Sequence, residues 1–310
     1  MSSSAMATYH KILSQARIGT KPRTAKDIDD AVRKLRRLIL VEGIPDADAT
    51  LRPRIWKILL RVDELSADKY VAFVARGPSD FRDKITNDTF RTLATDGAFK
   101  ERVSEHMLVR CLDAFVWRNQ ERPNPVFDFT YVQGMNVLAA PFLYSMPSEI
   151  EAFYCFSRFI EHCCPLYVQP TLEGVHRGLK LLDRCLKIVD PDLFAYLRSK
   201  KLAAEIYAFP SVLTFCACTP PLSEVLKLWD FLLAYGVHLN VLCVIAQLLL
   251  MRDELMDSPS PMKLLRVLPP LDAQPIIAIA VTLVRDLPAE LYDELVRHPY
   301  TPTSAPTPMR

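Results

Sequence analysis

Phe231-Leu-Leu-Ala-Tyr-Gly236-Val-His238-Leu-Asn240-Val-Leu-Cys243-Val-Ile-Ala-Gln247-Leu-Leu-Leu-Met251 is a run of 21 residues without a charge. As one helix it would just span a bilayer. Gly236 stands where a helix would end, however, and Asn240 where a second would be capped. His238 and Gln247 add polar groups. The stretch therefore reads as two buried helical pieces joined by a turn, rather than as a membrane span, and this reading decides the fold class.

Working outward from it, the same helical spacing recurs on both sides. Leu222 to Ala234 and Leu239 to Arg252 enclose the run, and Ile276 to Val284 and Leu287 to Val296 follow it. Upstream lie His106 to Arg118, Met135 to Ser145, Ile150 to Cys163 and Gly178 to Val189. Ser148 with Glu151 makes a capping box before the third of these. Near the start, Ile28, Val32, Leu35, Leu38 and Ile39 share one helical face, and Gly43 stops that run. A further helix begins near Thr50, with Pro53 in its first turn. Prolines fall between these segments or at their starts, and no stretch combines strict alternation with hairpin residues. The expectation is an all-α protein built of two packed helical subdomains. Residues 1–24 read as a flexible leader and 25–298 as the helical domain. Residues 299–310 read as a Pro-rich disordered tail in which Thr301-Pro302 and Thr307-Pro308 fit proline-directed phosphorylation.

Composition narrows the function. Of 310 residues, 50% are hydrophobic and 24% charged, enough for a sizeable core. The net charge of +2 argues against a nucleic-acid partner. Arg33, Lys34, Arg36 and Arg37 follow Asp27, Asp29 and Asp30, and read as a solvated helix face rather than a membrane anchor. Only eight glycines occur, with no G-x-G-x-x-G or P-loop pattern, so a nucleotide acted upon would sit on a partner. The eight cysteines lack metal-site spacing and read as reduced, mostly buried thiols of an intracellular protein. The six histidines form no close pair, so no metal site is expected. Trp56, Trp117 and Trp229 read as core anchors.

Three segments carry the chemistry. Ile85-Thr-Asn-Asp88-Thr-Phe-Arg91 fits I-x-x-D-x-x-R, and Tyr131-Val-Gln133-Gly134-Met135 fits Y-x-Q-G-M. The third runs from Pro221 through Trp229-Asp230 to Gly236. Upstream, Gly43-Ile-Pro45 is followed by Leu51-Arg52, Arg54 and Trp56. Alone, Asp88 and Arg91 read as a surface ion pair and Tyr131 to Gly134 as a turn. In this order, over residues 43–236 of a glycine-poor helical chain, they resemble the TBC domain of Rab-type GTPase-activating proteins. Two positions depart from that pattern: Thr130 replaces a frequent glycine, and Leu93-Ala94 replaces the frequent phenylalanine and proline. Both are expected to alter loop shape and so the choice of GTPase.

The resemblance implies that Arg91 and Gln133 are catalytic fingers offered to a small Ras-like or Rab-like GTPase. That partner would carry both GTP and Mg, and this chain would have no cofactor of its own. Ile85, Asp88, Tyr131 and Gly134 would support the fingers or contact the GTPase. Asp88 would share a helix face with Arg91, Tyr131 would pack the finger loop, and Gly134 would allow a tight turn. Within the family, the chain looks most like the fungal mitotic-exit and septation regulators. That likeness implies a cytoplasmic protein at the spindle pole body, working with a larger scaffold as a two-component activator. A Rab activator in membrane traffic, a non-catalytic adaptor with the same fold and a membrane-embedded helical protein are the competing readings.

Overall fold

The computed structural model describes residues 3–15 and 25–302. These residues form α-helices and short 3-10 turns, with no strand among them. The first part comprises α1 (Ser3–Gln15), α2 (Ala25–Glu42), α3 (Leu51–Leu59), α4 (Ala67–Ala75), α5 (Arg82–Thr89), α6 (Gly97–Arg102), α7 (Glu105–Glu121), α8 (Met135–Ser145) and α9 (Glu149–Cys163). The second comprises α10 (Glu173–Val189), α11 (Pro191–Ser199), α12 (Ala204–Tyr207), α13 (Phe209–Leu213), α14 (Leu222–Tyr235), α15 (Asn240–Leu250), α16 (Arg252–Asp257), α17 (Met262–Arg266), α18 (Ala273–Leu283) and α19 (Ala289–Arg297).

The helices start where side chains can take over orphaned N–H groups. Ser66, Asp96, Ser104, Ser148 and Asp190 each accept from the backbone three residues on. Gly43 ends α2 at φ 68°, donating its N–H to Ile39 O at 3.0 Å. Gly236 ends α14 at φ 121°, where a Cβ would lie 2.5 Å from the His238 ring. The uncharged run is therefore broken as expected. Its first part finishes α14, a 3-10 turn covers Val237–Leu239, and α15 follows. No helix among the described residues is long and apolar enough to cross a membrane.

Asn240 does not cap α15. It is the first helical residue and is fully buried, donating its amide to Ser211 O at 3.0 Å and accepting from the Cys216 thiol at 3.2 Å. The turn at Phe215 and Cys216 holds both residues at positive φ, and Asn240 ties that turn to α15. Long-range polar satisfaction thus outranks local capping.

One apolar core runs from Trp56 to Leu295 and is shared by both groups of helices. Its centre is aromatic. Trp229 packs within 5.1 Å of Phe159, 5.5 Å of Phe142 and 6.2 Å of Trp56 between ring centroids. Trp117 lies at the rim and donates its indole N–H to Gly77 O. A second, smaller cluster corrects the flexible-leader reading over Ser3–Gln15. Tyr9, Ile12 and Leu13 of α1 are buried against Leu35, Ile39, Leu51 and Ile55 of α2 and α3. The Tyr9 hydroxyl donates to Gly43 O at 2.9 Å. At roughly 1.5–3 kcal/mol per buried large apolar side chain, these three hold a helix that would be marginal alone.

At the other end, Leu166 donates its N–H to Pro299 O and Arg177 donates to Thr301 O, so residues 299–302 pack on the body rather than opening a tail. Residues 303–310, including Thr307-Pro308, and residues 16–24 of the leader lie outside the described residues. The eight cysteines are free thiols, and burial pushes those of Cys155, Cys185 and Cys216 up to about 12.

The strongest polar link in the core joins α3 to α14. Asp230 accepts from Arg52 Nε at 3.0 Å, from Arg52 Nη2 at 3.0 Å and from Trp56 Nε1 at 2.7 Å. Burial raises the Asp230 carboxyl above its usual range, while Arg52 and Trp56 pull it down. Desolvation works to lower the Arg52 pKa, but attraction to Asp230 prevails and raises it. The fork geometry is that of an ion pair.

Two buried histidines make stability pH-dependent. His298 is fully buried, with Nε2 2.8 Å from the Tyr167 hydroxyl and Nδ1 2.6 Å from Leu295 O. Burial lowers its pKa to about 3 and that of His238 to about 4. The unfolded chain takes up these protons near pH 6.5 while the folded one refuses them. Their contribution is thus complete above about pH 6.5. It is lost as pH falls, by up to about 1.4 kcal/mol per unit for each histidine. Denaturation midpoints are expected to be level from these groups at pH 7–8 and to fall between about pH 6.5 and pH 5. A level profile across that acid window contradicts the assignment.

Candidate functional site

The site is built from the C-terminal end of α5 and the loop entering α8. Ile85 is fully buried and anchors α5, which packs on α7 and α8. Asp88, one turn later, is also buried. The helix stops at Thr89, and one of its last carbonyls is taken by side chains. Asp88 O accepts from the Thr92 hydroxyl at 3.1 Å and from the Asn136 amide at 3.2 Å. Leu93 then turns the chain at φ 45°. Arg91 consequently lies in the turn after α5, not on the helix with Asp88. The i, i+3 contact still forms, with Arg91 Nη2 2.5 Å from Asp88 Oδ1.

The second segment reaches the same carboxylate. The buried Tyr131 donates its hydroxyl to Asp88 Oδ2 at 2.8 Å. Burial, with help from Asp88, pushes the Tyr131 pKa far up, so the phenol stays a donor at any working pH. Gly134 opens α8 at φ 103°, and its N–H donates to Asn136 Oδ1 at 3.2 Å. A Cβ on Gly134 would lie 3.0 Å from Leu213 Cδ2, so both the backbone angle and the space favour glycine. Gln133 is thus held between two pinned neighbours, with its own side chain exposed.

The six residues singled out from the sequence therefore divide. Arg91, 57% exposed at its side chain, and Gln133 face solvent. Ile85, Asp88, Tyr131 and Gly134 are buried, a placement that suits support of the loops. Asp88 joins the two segments, 43 positions apart in the chain, by accepting from Arg91 on one oxygen and from Tyr131 on the other. Sequence reading missed two further braces, Thr92 and Asn136, whose side chains bond each other at 2.8 Å. The available signal was a polar asparagine at the head of the otherwise apolar α8.

Beside Arg91 runs a groove of about 280 Å³. Leu93, Ala94 and Val137 form part of its wall, with Cys218 and Pro220 opposite. The two departures from the family pattern at Leu93 and Ala94 thus fall next to the exposed arginine. Thr130 is half-buried, directly before Tyr131. Among the described residues no group of histidine, cysteine or carboxylate side chains has the arrangement of a metal site. Chemically, the surface offers a fixed cation and a neutral donor–acceptor amide on neighbouring, mutually braced loops.

Comparison with known proteins gives this arrangement a family. A family model described as the Rab-GTPase-TBC domain matches residues 49–256, about two thirds of the chain. Cell division control protein 16 of Schizosaccharomyces pombe is 48% identical over 280 residues, covering 89% of this chain and 91% of that protein. Mitotic check point protein BUB2 of Saccharomyces cerevisiae is 43% identical over 285 residues, covering 87% of this chain and 92% of that protein. The crystal structure of the Ypt/Rab-GAP domain of Gyp1p superposes with a TM-score of 0.71 at 18% identity, covering 90% of this chain and 98% of that one. A Chlamydomonas flagellar RabGAP TBC domain gives a TM-score of 0.64 at 18% identity, covering 96% and 90%. At that identity the superpositions establish the all-α fold alone. By its matched domain and its long relatives, the chain belongs to the Rab-GTPase-TBC domain family, the GTPase-activating domains whose partners are small GTPases.

Proposed function

We propose that this protein accelerates GTP hydrolysis on a small Ras-like or Rab-like GTPase, with Arg91 and Gln133 completing the partner's active site. The observation that carries this reading is the shared Asp88 carboxylate, which braces two exposed side chains of suitable chemistry from distant segments. Phosphoryl transfer to water needs stabilisation of spread negative charge and a positioned nucleophile. A guanidinium supplies a permanently charged fork for the phosphoryl oxygens. A glutamine amide accepts from the attacking water while donating to the phosphoryl group. The GTP and its Mg belong to the partner, and this chain contributes no cofactor.

The names of the long relatives support a role in restraining mitotic exit or septation. In that setting the protein acts in the cytoplasm at the spindle pole body, as one half of a two-component activator completed by a larger scaffold. A Rab of membrane traffic is the second substrate reading, supported by the Rab-GAP neighbours. The altered Leu93-Ala94 wall leaves a non-catalytic adaptor as the third.

Single-turnover hydrolysis across a panel of GTP-loaded Rabs and the mitotic Ras-like GTPase, with and without the scaffold, separates these readings. We expect acceleration of the mitotic GTPase. Acceleration confined to Rabs moves the protein to membrane traffic, and no acceleration of any GTPase leaves only the adaptor.

A further inference from the structure

Away from Arg91 and Gln133, α1 and α2 enclose an open groove of about 510 Å³. Ile12 and Leu38 form its floor and Val41 its wall, while Lys11, Lys34 and Arg37 stand along it. Val41 is 68% exposed and its neighbour Leu40 is 39% exposed, an unusual amount of open aliphatic surface for the last turn of a helix. The three cations make no ion pair with a described residue, whereas nearby Arg33 is paired with Asp30 and Arg61 with Asp29.

The described sequence around it is basic. Residues 11–15 and 25–41 hold six Lys or Arg against three Asp, a net charge of +3 in a chain whose total is +2. The concentration of charge is local, and its apolar centre is concave.

We propose that the α1–α2 groove docks an acidic amphipathic segment of a partner protein, whose apolar residues enter between Ile12, Leu38 and Val41 and whose carboxylates meet Lys11, Lys34 and Arg37. The inference deepens the two-component reading above and rests on it for the partner's role, but the surface chemistry stands by itself. Charge complementarity selects the occupant. The chain's own residues 303–310 carry one arginine and no acid, so they do not match a basic rim. An anionic membrane is disfavoured by Glu42, which lines the same groove. A helix laid in a groove, with flanking charge pairs giving register and speed, is a recurrent mode of recognition.

The test uses the full chain and a synthetic helix of about 18 residues, with leucine on one face and glutamate on the other. The control helix carries lysine in place of glutamate. Fluorescence anisotropy is expected to show binding of the acidic helix and not of the basic one. Lys34→Glu with Arg37→Glu is expected to weaken binding about tenfold or more, and Val41→Ser to weaken it separately. Both variants change exposed positions, so their melting temperatures and the stimulation of GTP hydrolysis they give without the scaffold should match the parent protein. Binding that is insensitive to these changes, or no binding of the acidic helix, overturns the proposal. So does preferential capture by phosphatidylserine–phosphatidylcholine vesicles. If stimulation of hydrolysis is never found while docking is, the proposed function falls and this surface stands. The reverse outcome removes only this surface.

Discussion

Arg91→Ala is expected to lower the stimulated GTP hydrolysis rate by about 10³-fold or more, toward the GTPase's unaided rate. In free energy that is roughly 4 kcal/mol or more of transition-state stabilisation. The size follows from where the charge develops: an arginine delivered into a site closed to water acts at low dielectric, where a fixed cation is worth far more than at the surface. Asp88 contributes by holding the guanidinium in place before the encounter, so less ordering is required on binding. Arg91→Lys is expected to recover little of the rate, because an ammonium lacks the planar fork. It keeps a cation beside Asp88, so its melting temperature should stay near that of the parent. Loss of rate with retained stability separates catalysis from folding. Gln133→Ala, a change on the neighbouring loop, is expected to give a comparable loss and almost no change in stability, since the side chain is exposed. A stimulated rate left intact by both substitutions contradicts the finger assignment.

The largest expected effect on stability is at Arg52. Arg52→Ala leaves the Asp230 carboxylate buried with only the Trp56 N–H as a partner, at the contact between α3 and α14. Breaking a buried ion pair from one side costs about 3–5 kcal/mol, much of it from the charge left behind. The urea midpoint should fall accordingly, or the variant should fail to fold at physiological temperature. The pair is not required as an ion pair, however. Replacing Arg52 and Asp230 together with leucine should recover much of the loss, because an apolar pair avoids the desolvation penalty. A single-substitution cost below about 1 kcal/mol, typical of an exposed salt bridge, contradicts this account.

Arg52, Trp56 and Asp230 also show how far the sequence could be read. The W-D pair and the L-R-x-x-x-W stretch were each visible, but nothing local shows that Arg52 and Trp56, one helical turn apart, close on the same carboxylate 174 or more positions away. Legible features were those set within a few residues. Met135–Ser145 and the cap at Ser148 follow from spacing and side-chain chemistry, and Gly43 and Gly236 end helices because they supply positive φ. Failures came where tertiary contacts overrule local preference. Ser3–Gln15 reads as leader because its apolar residues show no clear helical period, yet α2 and α3 complete the face that buries Tyr9. Asn240 has the type of a cap but serves Ser211 and Cys216. Arg91 falls beyond the end of its helix, where Asn136, from another segment, holds Asp88 O.

The same limit applied to the site. Ile85, Asp88, Tyr131 and Gly134 could each have faced the partner or the core, and only burial separates bracing residues from exposed ones. The groove wall at Leu93 and Ala94 was legible as a departure from a pattern, but its position beside Arg91 was not.

One measurement bears most directly on the central claim, that the protein lends both fingers to its partner's nucleotide. Many small GTPases orient the attacking water with a glutamine of their own. If Gln133 performs that task in trans, a cognate GTPase whose own glutamine is changed to leucine should still be accelerated by the parent protein. In single-turnover hydrolysis with that GTPase variant, the account predicts substantial stimulation by the parent and none by Gln133→Ala. Complete loss of stimulation with the parent protein, or equal stimulation by Gln133→Ala, would contradict it.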